Sequence, residues 1–145
     1  MSKIWLVLLF CLSLYGKDVV NWNYRHTFEL KKDEIGTISI VKKEYKNQSE
    51  LKGKFKFRWT LYQNKLLVVL ADYEGHPTQH VLEKLYKRDS LTFNLLGDYE
   101  QRNQRVILKL LFADFAKDSA TIDALIYDPK KRIEIQFIDP VRKKR

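Results

Sequence analysis

The stretch Asp72–His80, DYEGHPTQH, gathers two of the chain's three histidines and two carboxylates around a glycine and a proline. Imidazole nitrogens and carboxylate oxygens are ligands for zinc and similar divalent ions. Asp72, Glu74, His76 and His80, joined by His26 from an early strand, could therefore form a two-histidine, one-carboxylate site. If strand pairing continues past Ala71, Asp72, Glu74 and His76 project from the same side. The simpler reading is a bend over Gly75 to Pro77, in which Gly75 supplies the unusual backbone angle and Pro77 the fixed one. Pro77 lies between His76 and His80 and opposes the helix on which zinc hydrolases carry two histidines four apart. The five residues are thus the candidate ligand- or partner-binding set. They become a metal site only if His26 comes within ligand distance of His76 or His80. His26 alone reads as a half-buried strand residue among Trp22, Tyr24 and Phe28.

Other chemistry is sparse. The sequence has no nucleophile elbow, no glycine-rich phosphate loop and no dinucleotide fingerprint, so neither a catalytic residue nor a cofactor is expected. Asp72 and Glu74 are an acid/base pair only if the fold sets them about a cleft. Asp33, Asp98 and Asp128 fall in expected turns, where aspartate has a structural role. The segment KGKFKFRW, residues 52–59, superficially resembles RNA-binding strands with stacking aromatics. Its alternation instead sends Phe55, Phe57 and Trp59 into a core and leaves the lysines outside, so nucleic acid is not the expected partner.

The amino terminus has a different composition. Lys3 precedes the apolar run IWLVLLFCLSLYG, and polar residues resume at Lys17. This is the layout of a secretory signal peptide over 1–16, shorter than the roughly 20 apolar residues of a membrane span. An exported chain, periplasmic or secreted, with no transmembrane span after cleavage is the expectation. Cys11, the one cysteine, would leave with the leader, so the mature chain would hold neither thiol nor disulfide. Phe10 before Cys11 is too bulky for a lipidation signal. The sequon Asn47-Gln48-Ser49 is a glycan acceptor in a host with that machinery.

Charge points to anionic surroundings. The chain carries 27 Lys and Arg against 18 Asp and Glu, and losing Lys3 with the leader leaves 26 against 18, or +8. Such a balance favours anionic surroundings such as envelope lipid, glycopolymer or nucleic acid. Its simpler reading is general solubility, because basic and acidic residues are interspersed along most of the chain. Arg142, Lys143, Lys144 and Arg145 crowd the terminus. They form a solvated basic tail, 140–145, suited to contact an anionic surface.

The elements that must position these residues are strands. WNYRHTFEL alternates, with Trp22, Tyr24, His26, Phe28 and Leu30 on one side; the polar KKDE follows, then the β-branched IGTISIV, together reading as a hairpin. KFKFRWTLY puts Phe55, Phe57, Trp59 and Leu61 on one face. KLLVVLADY is apolar on both faces and predicts a central strand covered on both sides. TQHVLEKLY fits either a strand or one or two helical turns. SLTFNLL and RVILKLLFADF alternate again, the latter with Val106, Leu108, Leu110 and Phe112 on one face. ATIDALIY, the Asp-Pro turn and RIEIQFI close the domain, with Ile133, Ile135 and Phe137 inward. The pattern predicts one all-β domain over 17–139, an antiparallel meander of about eight to nine strands forming a β-sandwich or small barrel.

The functional expectation is a small exported, non-enzymatic β-domain that binds an envelope partner: protein, glycopolymer or anionic lipid surface. Two alternatives stay open. A barrel mouth could carry a small apolar ligand, and the histidines could make a metal-binding protein or metalloenzyme.

Overall fold

The computed structural model describes residues 20–43, 50–96 and 105–143. Among the described residues nine strands run in chain order: β1 (Tyr24–Lys31), β2 (Gly36–Lys43), β3 (Glu50–Gln63), β4 (Leu66–Tyr73), β5 (His76–Glu83), β6 (Ser90–Asn94), β7 (Ile107–Ala116), β8 (Ser119–Tyr127) and β9 (Ile133–Ile138). They form two antiparallel sheets, ordered β1-β8-β7-β6 and β5-β4-β3-β2-β9. The layers pack as a sandwich, and among the described residues no helix is long and apolar enough to cross a membrane. Residues 1–19, with the expected leader and Cys11, and Asn47 and Asp98 lie outside the described residues.

Alternating sequence produces the core directly, because successive strand side chains point to opposite faces. On β7 and β8, Leu108, Leu110, Phe112, Ala120, Ile122, Ala124 and Ile126 are buried, while the residues between them are half-exposed. Across the interface, Phe28 meets Phe57 edge-on and Phe55 meets Phe93 edge-on, with centroids 5.1 and 4.7 Å apart. The space between the sheets is filled by side chains. Phe55, Phe57 and Trp59 point into it, and Trp59 Nε1 donates to the Leu30 carbonyl at 2.7 Å.

Among the described residues three hairpins have two-residue turns with both residues at positive φ: Asn64-Lys65, Glu74-Gly75 and Lys117-Asp118. This is the turn twist that matches paired strands. The expected β1–β2 hairpin does not form. β1 pairs with β8, from Tyr24 opposite Ile126 to Lys31 opposite Ser119, while β2 pairs with β3 and β9. The polar KKDE segment carries the chain from one sheet to the other, and Asp33 N–H donates to the Trp59 carbonyl at 2.9 Å. The chain returns between β5 and β6, and the Asp128 turn then crosses from β8 to β9 in the same direction as KKDE. Asp128, 1% exposed, accepts from the N–H groups of Arg132 and Ile133 at 2.9 and 3.1 Å, and its own N–H donates to Asn23 Oδ1.

Two β-bulges break the alternation that the sequence suggests. On β3, Trp59 pairs with Val69 but Leu61 pairs with Val68, leaving Thr60 as the extra residue. A bulge exchanges the two faces beyond it. Leu61 therefore faces out, 49% exposed, rather than in. On β7 the shift lies between Phe112 and Asp114, and Ala113 is the extra residue. Beyond the bulges, Tyr62 and Phe115 stack between the sheets at 3.8 Å, with Trp59 edge-on to Phe115 at 5.3 Å.

The expectation that β4 is covered on both faces also needs correction. Leu67, Val69 and Ala71 face the core, but Leu66, Val68 and Leu70 are half-exposed on the outer face, and no described element packs over them. TQHVLE resolves as strand β5, because hydrogen bonding to β4 takes the backbone groups that a helix would use.

Candidate functional site

DYEGHPTQH is the β4–β5 hairpin. Its turn is Glu74-Gly75, so His76 and Pro77 already belong to β5, opposite Tyr73 and Asp72. The bend thus falls ahead of the expected Gly75–Pro77 position. Pro77 fits because β5 is an edge strand and a two-residue hairpin turns its nitrogen outward, where no ladder donor is needed. Asp72, Glu74 and His76 do not share a side. Asp72 Oδ1 accepts from Gly75 N–H at 3.0 Å. Glu74 receives Lys42 Nζ at 2.9 Å, and His76 is exposed.

A small polar cluster closes this end of the sandwich. Tyr73 O–H donates to the Leu95 carbonyl, and Lys42 Nζ lies 5.6 Å from the Tyr73 ring centroid. Gly53 makes room for it, since a Cβ there would come 2.8 Å from Glu74 Oε1. Burial alone would push the Lys42 ammonium down, but its bonds to Glu74 and Tyr73 outweigh that and raise it above its ordinary value. Burial raises the Tyr73 phenol, with Glu74 adding and Lys42 opposing. Both groups hold their usual protonation at neutral pH. The arrangement braces the hairpin rather than preparing an acid or base.

The three histidines occupy opposite edges. His80, on β5, bonds Thr78 Oγ1 through Nε2 at 2.9 Å and meets Phe93 of β6 edge-on at 5.6 Å. His26, on β1, bonds Asp139 Oδ1 at 3.0 Å and stacks on Phe137 of β9 at 5.0 Å. β1 with β9 and β5 with β6 are the two different edges of the sandwich, so His26 does not join His76 or His80. Among the described residues no three His, Cys, Asp or Glu side chains gather as a metal set.

The basic tail is partly engaged. Arg142 holds Glu34 in a two-point contact, Nε to Oε1 at 3.0 Å and Nη2 to Oε2 at 2.8 Å, and donates to the Glu29 carbonyl at 2.9 Å. Its charge is therefore spent within the chain, which removes Arg142 from a freely solvated tail. The bond from Arg142, with the Lys31 N–H contact, outweighs desolvation and holds the Glu34 carboxyl below its ordinary range. Lys143 is exposed, and Lys144 and Arg145 lie outside the described residues.

A surface that site-by-site reading of the sequence misses is the outer face of the five-stranded sheet. Toward the Glu74-Gly75 end it carries the exposed cations Lys54, Lys56 and Arg58 on β3. Arg58 lies 3.7 Å from Asp33. Toward the other end, Leu61, Val68 and Val81 stand side by side across β3, β4 and β5, with Leu61 49% and Val81 53% exposed. The alternating lysines were the available signal for the first half. The Thr60 bulge, which turns Leu61 outward, has no signature in the residue pattern. No family model matches this chain, nor does any curated protein or solved structure.

Proposed function

We propose that this protein is a small, exported, non-enzymatic binding module of the cell envelope, working through the outer face of its five-stranded sheet. The observation that carries this reading is the division of that face into a cationic half, where Lys54, Lys56 and Arg58 outnumber Asp72, and an apolar half, where Leu61 and Val81 are exposed on either side of the half-buried Val68. Alternate residues on a strand are about 7 Å apart, so the cations span about 13 Å. That spacing suits a repeated anionic partner more than a single small ion. The ring contacts between the sheets favour surface binding over an enclosed ligand.

Retention on envelope fragments from the protein's own host tests the reading. The mature protein should bind at low salt and release as salt rises, because exposed charge pairs are screened. Lys54→Glu with Lys56→Glu and Arg58→Glu should weaken retention by at least about tenfold, given roughly 1 kcal/mol per charge near an anionic surface. Unchanged retention in this variant would contradict the assignment of the face.

A further inference from the structure

Beyond β5 the chain makes a projecting four-residue turn, Lys84–Lys87, before crossing to β6. Its backbone is fastened on both sides. Glu83 N–H donates to the Arg88 carbonyl at 2.9 Å, closing the turn. Lys84 Nζ donates to the Ala113 carbonyl exposed by the β7 bulge and lies 6.0 Å from the Phe112 ring centroid. This held turn nevertheless keeps two large apolar side chains in water: Leu85 is 61% exposed and Tyr86 71%. Val81, 53% exposed on β5, precedes Leu85 by four residues, so three large apolar side chains are in water around the end of this strand. Lys87 and Arg88 follow directly, and Lys65 projects from the neighbouring strand-end turn, all three exposed. Glu83 and Asp89 flank the turn and are only half-exposed.

We propose that this tip docks on an anionic lipid surface, with Leu85 and Tyr86 entering the headgroup boundary and Lys65, Lys87 and Arg88 meeting lipid phosphates. The inference rests on the envelope-binding reading and names its partner. Leucine supplies the apolar anchor, and tyrosine suits the boundary because its ring is apolar and its hydroxyl stays wet. Long basic side chains keep their charges at headgroup level while their stems cover apolar surface. A narrow convex turn suits a bilayer, which parts around it. A protein interface of standard size needs about 800 Å² of matched surface on each side.

The test uses the mature protein purified from its own compartment, sedimented with vesicles of phosphatidylcholine alone or mixed equally with phosphatidylglycerol. Binding to the anionic vesicles, weakened by salt, is expected, with little on the neutral ones. Leu85→Asp with Tyr86→Ser should lower the anionic partition by at least about tenfold, and Lys87→Glu with Arg88→Glu should remove the preference for anionic lipid. Both pairs sit on exposed positions, and an unchanged circular dichroism spectrum identifies the effect as surface chemistry. No binding, equal binding to neutral vesicles, or binding indifferent to both pairs would overturn the inference. If vesicles fail while the Lys54, Lys56 and Arg58 variant still loses envelope retention, the lipid assignment falls and the binding-module reading stands. Failure of both experiments removes both.

Discussion

The two edges of the sandwich treat similar residues in opposite ways. At the β1–β9 edge, His26 lies on Phe137 and bonds Asp139, and the following segment runs back to let Arg142 grip Glu34. Every charged group named there has a partner within the chain. At the β5–β6 edge, His76 is exposed, His80 hydrogen-bonds its neighbour Thr78 and meets Phe93 edge-on, and the chain projects Leu85 and Tyr86 into solvent. One edge is closed at His26 and Glu34 by its own tail, which leaves Val141 in water. The other leaves an apolar tip, Leu85 and Tyr86, in water. The lesson is that a histidine or an arginine says little until its edge is known.

Substitutions should separate the edges, with stability lost at the sealed one and binding lost at the open one. The largest effect is expected at Asp128, whose carboxylate satisfies two backbone donors in the crossing that delivers β9. Asp128→Ala leaves buried N–H groups without an acceptor and should cost about 3 kcal/mol in denaturant unfolding, with Asp128→Asn milder. Gly36→Ala comes next. A Cβ there would lie 2.8 Å from Phe57 Cζ and 3.1 Å from Phe28 Cδ1, both core rings that cannot swing away. A loss of about 2 kcal/mol is expected from such overpacking.

Glu34→Gln should be smaller, about 0.5 kcal/mol for a mostly solvent-screened pair. Its pH dependence has a defined sign. The folded-state pKa of Glu34 is depressed, so its contribution is complete above the ordinary value of 4.5 and disappears as pH falls through the lower folded value. Unfolding midpoints of the parent and Glu34→Gln should therefore converge in acid. On the outer face beside the open edge, Leu61→Thr on β3 with Val81→Thr on β5 should change stability by less than about 0.5 kcal/mol, since about half of each side chain is already in water. Envelope retention should nevertheless fall, and equal retention would erase the distinction between the edges.

Much of the fold is legible in the sequence because alternation fixes which side chains face inward. Phe28, Phe55, Leu108 and Ile122 all sit where period two puts them. Alternation carries no information about partners, so KKDE looks like a hairpin turn although it joins two sheets. It is equally blind to an extra residue. FKFRWTLY alternates smoothly through Thr60, and only pairing with β4 shows that Leu61 turns outward. The candidate site was legible as a hairpin but not as geometry. The bond between His26 and Asp139 spans 113 positions, and that between Arg142 and Glu34 spans 108, so neither leaves a local trace. The exposed pair Leu85 and Tyr86 is plain in the sequence, yet the same residues would fit a buried helical turn.

Photo-cross-linking in living cells tests the difference between the edges most directly. A light-activated side chain placed at Val81, on the open edge, should form adducts of lipid mass. The same side chain at Arg25, exposed on the sealed edge, should form few or none. Adducts of equal yield at both positions, or a yield at Arg25 exceeding that at Val81, would contradict the assignment of the β5 edge as the working surface.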